Sequence, residues 1–313
     1  MTRTLTQTLK RIPIFTDEPF DLGGWHGRKL SAAFAKRGFE AVFISLKDCC
    51  FDFSQQHSSS QSSIQLPSFL NALPQAAFIR GIAGGTLQQV ILRLDFLHAL
   101  QFSGVKVYNS AKAIERTVDK AMTSFLLHQQ GILSPQTWVC ESRAQAQAII
   151  EREVEHNQKL VIKPLFGSQG KGVRILDAST PFPVPMQEHV DGVYYMQQFI
   201  ESSQNCQWHD TRVFIINNKA VAAMKRFGKT WVNNVANGGR CEAITPTGEV
   251  AELAIQAAKI LDMDCCGVDI ITDAQGLHYV LEVNSIPAWQ GLQSVVELDI
   301  AQAMVDDLLE KCI

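Results

Sequence analysis

Two polar side chains, Glu282 and Asn284, interrupt the apolar segment VLEVN near the end of the chain. Because side chains alternate across a β-strand, both lie on one face while Leu281 and Val283 lie on the other. A buried carboxylate without a partner is costly to desolvate. The chain must therefore form a sheet with one apolar and one polar face, and a partner must lie against the polar face.

The residues before this strand read GVDIITDAQGLHYV, a pattern that predicts an antiparallel hairpin with its turn at residues 273–276. Either a two-residue or a four-residue loop places Asp269 on the same face as Glu282 and Asn284. Two carboxylates and an amide oxygen suit a hard cation such as Mg²⁺, with Mn²⁺ as the alternative metal. The competing interpretation is that the carboxylates face solvent on a half-exposed sheet.

The composition excludes several classes of protein. The chain has 313 residues, of which 46% are hydrophobic and 19% charged, enough for two or three domains or one large α/β unit. A formal net charge of −3 and a pI near 6.2 give no general attraction to nucleic acid. No apolar run has signal-peptide or transmembrane character, and the eight cysteines have no zinc spacing. We therefore expect reduced thiols, no membrane segment and a cytoplasmic protein.

The first 108 residues alternate between strand and helix patterns. The segments RIPIFTD and FEAVFISL predict strands, and the residues between them predict a helix that ends at Gly38. A strand at AAFIRG, a helix over about residues 86–102 and a strand at VKVYNS follow. Strands joined through helices favour a parallel sheet with binding groups at the strand ends. Residues 54–63, SQQHSSSQSS, contain no apolar side chain and predict a mobile surface loop.

After residue 108 the pattern changes. The segment TVDKAMTSFLLHQQG predicts a helix that ends at Gly131, and KLVIKP predicts a strand broken by Pro164. The segments TRVFIINNKAVAAMKR and GVDIITDAQGLHYVLEVN read as antiparallel hairpins, with a helix at EVAELAIQAAKILD between them and another at the C-terminus. This part of the chain therefore predicts α+β lobes rather than a parallel sheet.

A glycine-rich segment, GSQGKGV, follows the strand that ends at Pro164. Its glycines allow backbone N–H groups to approach phosphate oxygens, and Lys171 adds a positive charge. The segment is not a Walker A loop, because Val173 stands where that motif needs serine or threonine and no predicted helix begins there. A glycine-rich hairpin turn without a ligand is the competing interpretation.

Charged side chains inside apolar strands are further candidates. Lys163 lies in VIKP, where an ammonium needs an anionic partner such as ATP phosphate, or reaches to water at the strand end. Arg80, Arg212 and Arg226 lie among apolar residues, where a guanidinium group suits carboxylate or phosphate, with structural ion pairs as the alternative. The segment MQQFIES is compatible with backbone contacts to adenine, as is any buried strand.

Taken in order, these motifs resemble those of the ATP-grasp superfamily, and most closely the RimK-like amino-acid ligases. The similar segments are FIRG, YNSAKAIERTVDK, VIKPLFGSQGKGV, QQFI, DTRVFIINNKAVAAMKR, NNVANGGR, GVDI and LEVNSIP. The ending EVNSIPAWQGLQ most resembles the glutamate ligases associated with tetrahydromethanopterin-type cofactors. The resemblance implies an α/β ATP-grasp fold: a Rossmann-like preATP-grasp domain over residues 1–108, a central lobe with a glycine-rich flap over 109–195, and a C-terminal lobe with the metal site over 196–313.

The resemblance also assigns residues to roles. It implies ATP binding by Lys120, Lys163, Gly167, Ser168, Gln169, Gly170, Lys171, Gly172, Gln198, Phe199, Asp210 and Asn234. It implies metal binding by Asp269, Glu282 and Asn284, substrate binding by Arg80, Arg212 and Asn237, and catalysis by Arg226, Arg212 and Lys163.

The implied reaction is the ATP- and Mg²⁺-dependent ligation of an amino acid, by resemblance L-glutamate, to a carboxylate on a cofactor-like small molecule or a protein C-terminus. The carboxylate attacks the γ-phosphorus to give an acyl phosphate and ADP, and the α-amine then displaces phosphate. A nucleotide-binding module without turnover is one alternative. A dinucleotide-dependent oxidoreductase, suggested by the turn DLGGWHG, is another. Whether the protein is a homo-oligomer stays open.

The sequence departs from the ribosomal-protein-modifying members near the expected acceptor. Val232 stands where they carry arginine, and Ala236–Asn237 replaces a histidine-arginine pair. The segment IPAWQG replaces the usual proline-glycine turn after the metal strand. Its tryptophan, Trp289, either offers a flat surface to an aromatic or pterin-like acceptor or packs in the core. The resemblance therefore leaves the acceptor open.

Overall fold

The chain forms two compact units. A computed structural model describes residues 10–54, 63–69, 72–167, 172–178, 190–202, 208–228, 230–231 and 239–312. The N-terminal unit comprises Met1–Ile114, Ala288–Gln293 and Glu297–Ile313, and the central unit comprises Glu115–Pro287 with Ser294–Val296. The division into three domains stays a prediction. Of the predicted mobile loop, residues 54–63, only the two end residues lie within the described part of the chain.

The N-terminal unit is built around a parallel sheet, as predicted. Its first elements are β1 Lys10–Phe15, α1 Gly24–Lys36, β2 Phe39–Ile44, β3 Cys50–Phe51, β4 Ile64–Gln65, β5 Ala76–Ile79, α2 Leu87–Phe102 and β6 Lys106–Tyr108. Four strands pair in the order β2-β1-β5-β6, all in parallel. The strand order reverses between β1 and β5, and the carboxyl ends of strands at such a point border a crevice.

Helix α2 begins where its sequence provides an N-terminal cap. The Thr86 hydroxyl accepts a hydrogen bond from the Gln89 backbone N–H, and the Gln89 side chain accepts one from the Thr86 backbone. This capping box satisfies two N–H groups that would otherwise lack partners at the helix start. The predicted helix over about residues 86–102 is confirmed.

The central unit contains two antiparallel sheets. Its elements are α3 Ala111–Val118, which spans the boundary between the units, then α4 Lys120–Gln129, β7 Thr137–Cys140, α5 Arg143–Glu155, β8 Leu160–Lys163, β9 Arg174–Leu176, β10 Tyr194–Gln198, β11 His209–Ile216, β12 Lys219–Phe227, β13 Arg240–Ile244, α6 Gly248–Ile260, β14 Cys265–Thr272 and β15 His278–Asn284. The smaller sheet has the order β7-β10-β8-β9 and the larger one β13-β12-β11-β14-β15. The predicted change to antiparallel pairing is confirmed.

The segment TVDKAMTSFLLHQQG does not form the single helix that the sequence predicts. Helix α3 ends at Val118 and α4 begins at Lys120. Between them Asp119 adopts an extended backbone, and its carboxylate accepts hydrogen bonds from the N–H groups of Ala121 and Met122. An aspartate at this position competes with the helix interior by capping a new helix start. The break places Lys120 in the first turn of α4.

The predicted hairpin is formed by β14 and β15. The Asp273 carboxylate closes the turn by accepting hydrogen bonds from the N–H groups of Gln275 and Leu277, and Gly276 has a φ of 89°. Helix α6 packs on β11, β14 and β15 and buries Ala251, Ala254, Ala257 and Ala258. One face of the larger sheet is therefore covered by α6, and the other face carries the polar residues.

The C-terminal segment belongs to the N-terminal unit. It contains α7 Gln290–Gln293 and α8 Ile300–Glu310. Helix α8 packs against α1, and Nε of Arg37, the residue directly after α1, lies 2.7 Å from Asp306 Oδ1. The Tyr108 hydroxyl at the end of β6 donates a 2.7 Å hydrogen bond to Asp307 of α8. These contacts, together with the buried apolar side chains of α8, hold the end of the chain on the unit in which the chain began.

Candidate active site

The polar face of the larger sheet brings together residues that are far apart in the sequence. Asp269 in β14 lies directly opposite Glu282 in β15, and Arg212 in β11 lies opposite Asp269. Arg226 in β12 lies opposite Asp210 in β11. Directly paired residues of neighbouring antiparallel strands point to the same face. The predicted placement of Asp269 and Glu282 on one face is confirmed.

Asp269 is the centre of a buried group of charges. Its side chain is 7% exposed and that of Arg212 is 13% exposed. Arg212 donates from Nε to Oδ1 and from Nη2 to Oδ2, each over 2.7 Å. Arg226 Nη2 lies 3.0 Å from Oδ2. Burial alone would raise the pKa of Asp269, but the two guanidinium groups outweigh burial and lower this pKa to about 2.

Arg226 is held by a second carboxylate. Its Nε donates to Asp210 Oδ1 over 2.8 Å, and its Nη2 donates to Asp210 Oδ2. Their side chains are 7% and 8% exposed. Asp210 was assigned to the nucleotide site by resemblance, but both of its oxygens are engaged by this two-pronged contact. The carboxylate therefore fixes the position of Arg226.

Two lysines lie in the electrostatic environment of Glu282. Lys163 Nζ donates a 2.6 Å hydrogen bond to Gln197 Oε1, and Lys120 Nζ donates to the carbonyls of Leu165 and Gly167 over 3.2 and 2.9 Å. Burial lowers the pKa of Lys163 to about 8; the charge of Lys120 acts in the same direction, and Glu282 opposes both. Burial also lowers the pKa of Lys120, again against the attraction of Glu282. Two partly desolvated cations that share one carboxylate favour the binding of a further anion.

A small pocket lies beside these groups. Its lining includes Lys120, Ser124, Tyr195, Gln197 and Glu282. The Tyr195 hydroxyl is within 2.8 Å of the Ser124 hydroxyl, and Gln197 Nε2 donates to Thr137. Sequence reasoning missed Tyr195 and Gln197. Their alternate positions in the buried strand YYMQQ were the signal, because two polar side chains on one face of a buried strand need a polar environment.

Only the ends of the predicted phosphate loop are described. Gly167 supplies the carbonyl that Lys120 contacts, and Gly172 has a φ of 75°. A Cβ atom on Gly172 would lie 2.9 Å from the Cγ atom of Pro164, so this position requires glycine for both conformation and space. The other predicted loop residues, Ser168, Gln169, Gly170 and Lys171, lie outside the described residues, as do Asn234 and Asn237.

The predicted adenine segment lies at the end of β10. The N–H groups of Gln198 and Phe199 donate to the carbonyls of Gln136 and Lys159, each over 2.8 Å. The Phe199 ring meets the rings of Trp208 and Trp231 edge-on, at centroid distances of 5.9 and 5.8 Å. Both N–H groups are therefore engaged within the protein, and an aromatic cluster surrounds Phe199.

Arg80 lies in the N-terminal unit, directly after β5 at the reversal of strand order. Its guanidinium group lies over the ring of Trp289 at 5.4 Å, and the Trp289 backbone N–H donates to His26 Nε2 over 3.2 Å. Burial, together with the charge of Arg80, lowers the pKa of His26 to about 4. Trp289 is 1% exposed, so the second of the two interpretations is correct and this residue is a core tryptophan. Its ring is not free to stack on an acceptor.

The family comparison agrees with this geometry. Residues 117–308 match the RimK-like ATP-grasp domain. The chain belongs to the RimK-like ATP-grasp family. Family membership implies the use of ATP and a divalent metal ion and identifies the chain as an ATP-dependent ligase. It therefore agrees with the ligase interpretation rather than with the binding-module or oxidoreductase alternatives.

Relatives of this RimK-like protein include tetrahydromethanopterin:alpha-L-glutamate ligases. The protein from Methanocaldococcus jannaschii is 35% identical over 252 residues, which cover 79% of this chain and 81% of the relative. The protein from Methanococcus maripaludis is 34% identical over 239 residues, covering 75% and 79%. A probable alpha-L-glutamate ligase of Vibrio vulnificus is 29% identical, covering 90% of both chains.

Solved structures share the RimK-like fold at low sequence identity. ATP-grasp ligase PsnB complexed with minimal precursor has a TM-score of 0.72 and 19% identity, with 97% of this chain and 100% of that chain covered. D-cycloserine synthetase DcsG has a TM-score of 0.69 and 17% identity, with the same coverage. The predicted ATP-grasp fold is confirmed.

The donor groups of the larger sheet fit the divalent metal that the family implies. Asp269 and Glu282 provide carboxylate oxygens, and Asn284 provides an amide whose Nδ2 lies 3.4 Å from Asp269 Oδ2. Hard cations such as Mg²⁺ take oxygen ligands and bind through one or two carboxylates plus substrate phosphates. Among the described residues no three His, Cys, Asp or Glu side chains form a metal cluster. The set therefore suits a metal shared with a phosphate rather than an all-protein cage.

Over the part of the chain that the structure describes, no helix combines the length and apolar character that a bilayer crossing requires.

Proposed function

We propose that this protein joins L-glutamate to the carboxylate of a small, cofactor-like acceptor, with ATP cleaved to ADP and phosphate. The observation that carries this proposal is the convergence of Lys120, Lys163 and Glu282 beside Asp269 in the central unit. The triphosphate of ATP requires cationic side chains that lack a full anionic partner, and its metal ion requires carboxylates that lie close together. The glutamate ligases among the relatives support the choice of amino acid.

Mg²⁺, or Mn²⁺ in its place, would be held by Asp269, Glu282 and Asn284. When bound, the metal neutralises phosphate charge and orients the γ-phosphoryl group. We assign Lys120 and Lys163 to phosphate oxygens, and Gly167, Ser168, Gln169, Gly170, Lys171 and Gly172 to ATP binding, as the resemblance to the family implies. Gln198, Phe199 and Asn234 contact the nucleoside. Asp210 acts indirectly, because its carboxylate holds Arg226.

The arginines act on the transferred group. Arg226 is rigidly positioned and Arg212 lies beside it, so both can neutralise charge as the acceptor carboxylate attacks the γ-phosphorus. The resulting acyl phosphate is attacked by the α-amine of glutamate, and phosphate leaves with the C–O bond electrons. Positioning and exclusion of water are the protein's main contributions, because an acyl phosphate hydrolyses readily.

We also assign Arg80 and Asn237 to substrate binding, as the resemblance to the family implies. The ligases from Methanocaldococcus jannaschii and Methanococcus maripaludis act on tetrahydromethanopterin, so a pterin-containing carboxylate is the first acceptor to test. We place the reaction in the cytoplasm. None of the cysteines in the described parts of the chain forms a disulfide, which is compatible with a reducing compartment.

The test is mass spectrometry of a reaction with ATP, Mg²⁺, isotopically labelled L-glutamate and tetrahydromethanopterin. We expect ADP release and a product heavier by one labelled glutamyl residue. Glu282→Gln should abolish both while the protein stays folded. Glu249→Gln makes the same change at a side chain that is 89% exposed and should leave turnover intact. Full turnover by Glu282→Gln, or nucleotide binding without ADP release across a panel of acceptors and amino acids, would refute the proposal.

A further inference from the structure

The two carboxylates of the proposed metal site, Asp269 and Glu282, differ in the partners that they bind. Asp269 has both oxygens engaged, with Oδ1 accepting from Arg212 and Oδ2 accepting from Arg212 and Arg226. The carboxylate of Glu282, directly opposite, forms neither a hydrogen bond nor an ion pair with any other described residue. Its cationic neighbours are the more distant Lys120 and Lys163. One ligand position is therefore occupied by a protein cation and the other is open.

The engagement of Asp269 conflicts with metal binding. A carboxylate oxygen that binds Mg²⁺ sits at about 2.0–2.1 Å from the metal, and a guanidinium fork needs both oxygens in the same plane. Two cations on one buried carboxylate also repel each other in a poorly screened environment. Arg212 and a metal ion therefore compete for Asp269.

The two arginines differ in the carboxylates that hold them and in their exposure. Arg226 has a second fork contact to Asp210, and both side chains are buried. Arg212 is the more exposed of the two, at 13% against 7%. Its side chain lies over Gly267, where a Cβ atom would be 3.4 Å from the Arg212 Cδ atom. Arg226 is therefore the arginine that Asp210 would retain if a metal ion occupied Asp269.

We propose that Arg212 and the metal ion replace each other as the cation bound to Asp269. This proposal rests on the metal site of the proposed function. In the metal-free protein Arg212 neutralises Asp269 in place of the metal. When the divalent cation occupies Asp269, Arg212 is released and binds an anion of the substrate, while Arg226 stays on Asp210. The exchange makes Arg212 available for the acceptor carboxylate or the phosphoryl group only in the metal-loaded protein.

The exchange has a reciprocal consequence for metal affinity. If the metal weakens the contact between Arg212 and Asp269, weakening that contact must strengthen metal binding by the same factor. We expect Arg212→Met to bind Mn²⁺ about tenfold more tightly than the wild type, within the usual range of coupling between sites. Arg212→Lys keeps the charge but cannot donate to both oxygens from one fork. It should also bind more tightly, by a smaller factor.

The experiment is titration with Mn²⁺ alone, with free Mn²⁺ measured by electron paramagnetic resonance. Arg240→Met is the matched control, because it removes the same charge from the same sheet at a side chain that is 64% exposed. It should stay within about twofold of the wild type. Circular dichroism establishes that each variant is folded, and Arg212→Lys preserves the test if Arg212→Met does not fold.

The outcomes separate this proposal from the proposed function. Loss of Mn²⁺ binding in Asp269→Asn, with tighter binding in both Arg212 variants, supports the exchange. Tighter Mn²⁺ binding in Arg212→Met but not in Arg212→Lys would show only charge repulsion. Unchanged or weaker Mn²⁺ binding in both variants would show that Arg212 and the metal do not compete. Either result overturns the exchange but leaves the proposed metal site intact. Wild-type affinity in Asp269→Asn would overturn the metal site and the exchange together.

Discussion

Replacing Lys163 with methionine should stabilise the ligand-free protein while abolishing ligation. The pKa of Lys163 is lowered from 10.5 to about 8, which measures the cost of holding its charge in the folded state. A change of one in pKa corresponds to about 1.4 kcal/mol, so the charged side chain costs the folded state about 3 kcal/mol. Methionine removes this cost but also the hydrogen bond to Gln197, worth about 1 kcal/mol. We expect a net gain of about 2 kcal/mol at pH 7.

The gain in the free energy of unfolding of Lys163→Met should become smaller as the pH rises. Because the pKa of Lys163 is lower in the folded state, both states are protonated below about pH 8 and the cost is complete. As the pH rises from about 8 towards 10.5, the folded state loses the proton first and the cost falls. The wild type should therefore approach the stability of Lys163→Met over this window.

The assay is urea unfolding of both proteins at pH 7 and at pH 10, followed by circular dichroism, with labelled glutamate incorporation measured in parallel. Lys159→Met is the matched control, because the Lys159 ammonium lies 2.6 Å from Glu201 in an exposed pair. It should give no stabilisation and retain turnover. A Lys163→Met protein that is less stable than the wild type at pH 7, or whose advantage persists unchanged at pH 10, would refute the reasoning.

Three further predictions concern positioning. Asp119→Ala should lower stability by about 1 kcal/mol through loss of the α4 cap, measured as a lower Tm, whereas Asp119→Asn should largely retain it. Gly172→Ala should reduce kcat, because a side chain there clashes with Pro164 and the φ of 75° is strained; an unchanged kcat in steady-state assays would contradict this. Asp210→Asn should reduce kcat more than it raises the KM for ATP, since the carboxylate holds Arg226; a rise in KM alone would instead indicate direct nucleotide contact.

The metal strand shows what can be predicted from local sequence. Strand alternation fixes the face on which Glu282 and Asn284 lie, and the turn residues around Asp273 specify the hairpin that brings Asp269 opposite Glu282. These features depend on backbone geometry over fewer than twenty residues, so no distant contact is needed to derive them. Lys163 was identifiable for a similar reason, because an ammonium in an apolar strand requires an anion.

Other features depended on contacts between distant segments. The pairing of Arg212 with Asp269 joins residues that are 57 positions apart, and the side-chain pattern of each strand is equally compatible with a free arginine. The same holds for Trp289, which the sequence allowed as either a binding surface or a core residue and which packs against Arg80 and His26. The break at Asp119 was missed because the helical pattern continues through it, while one carboxylate favours a new helix start.

The sequence by itself determined the antiparallel polar face, the two candidate carboxylates and the buried lysine, because strand periodicity and desolvation act locally. Only the tertiary structure decided which cation each carboxylate meets. Asp269 is neutralised by Arg212 of the neighbouring strand β11 and by Arg226 of β12, one strand further away, while Glu282 faces the more distant lysines. The physical reason is that side-chain charges interact through space, and the strand order that sets their distances follows from the packing of the whole sheet.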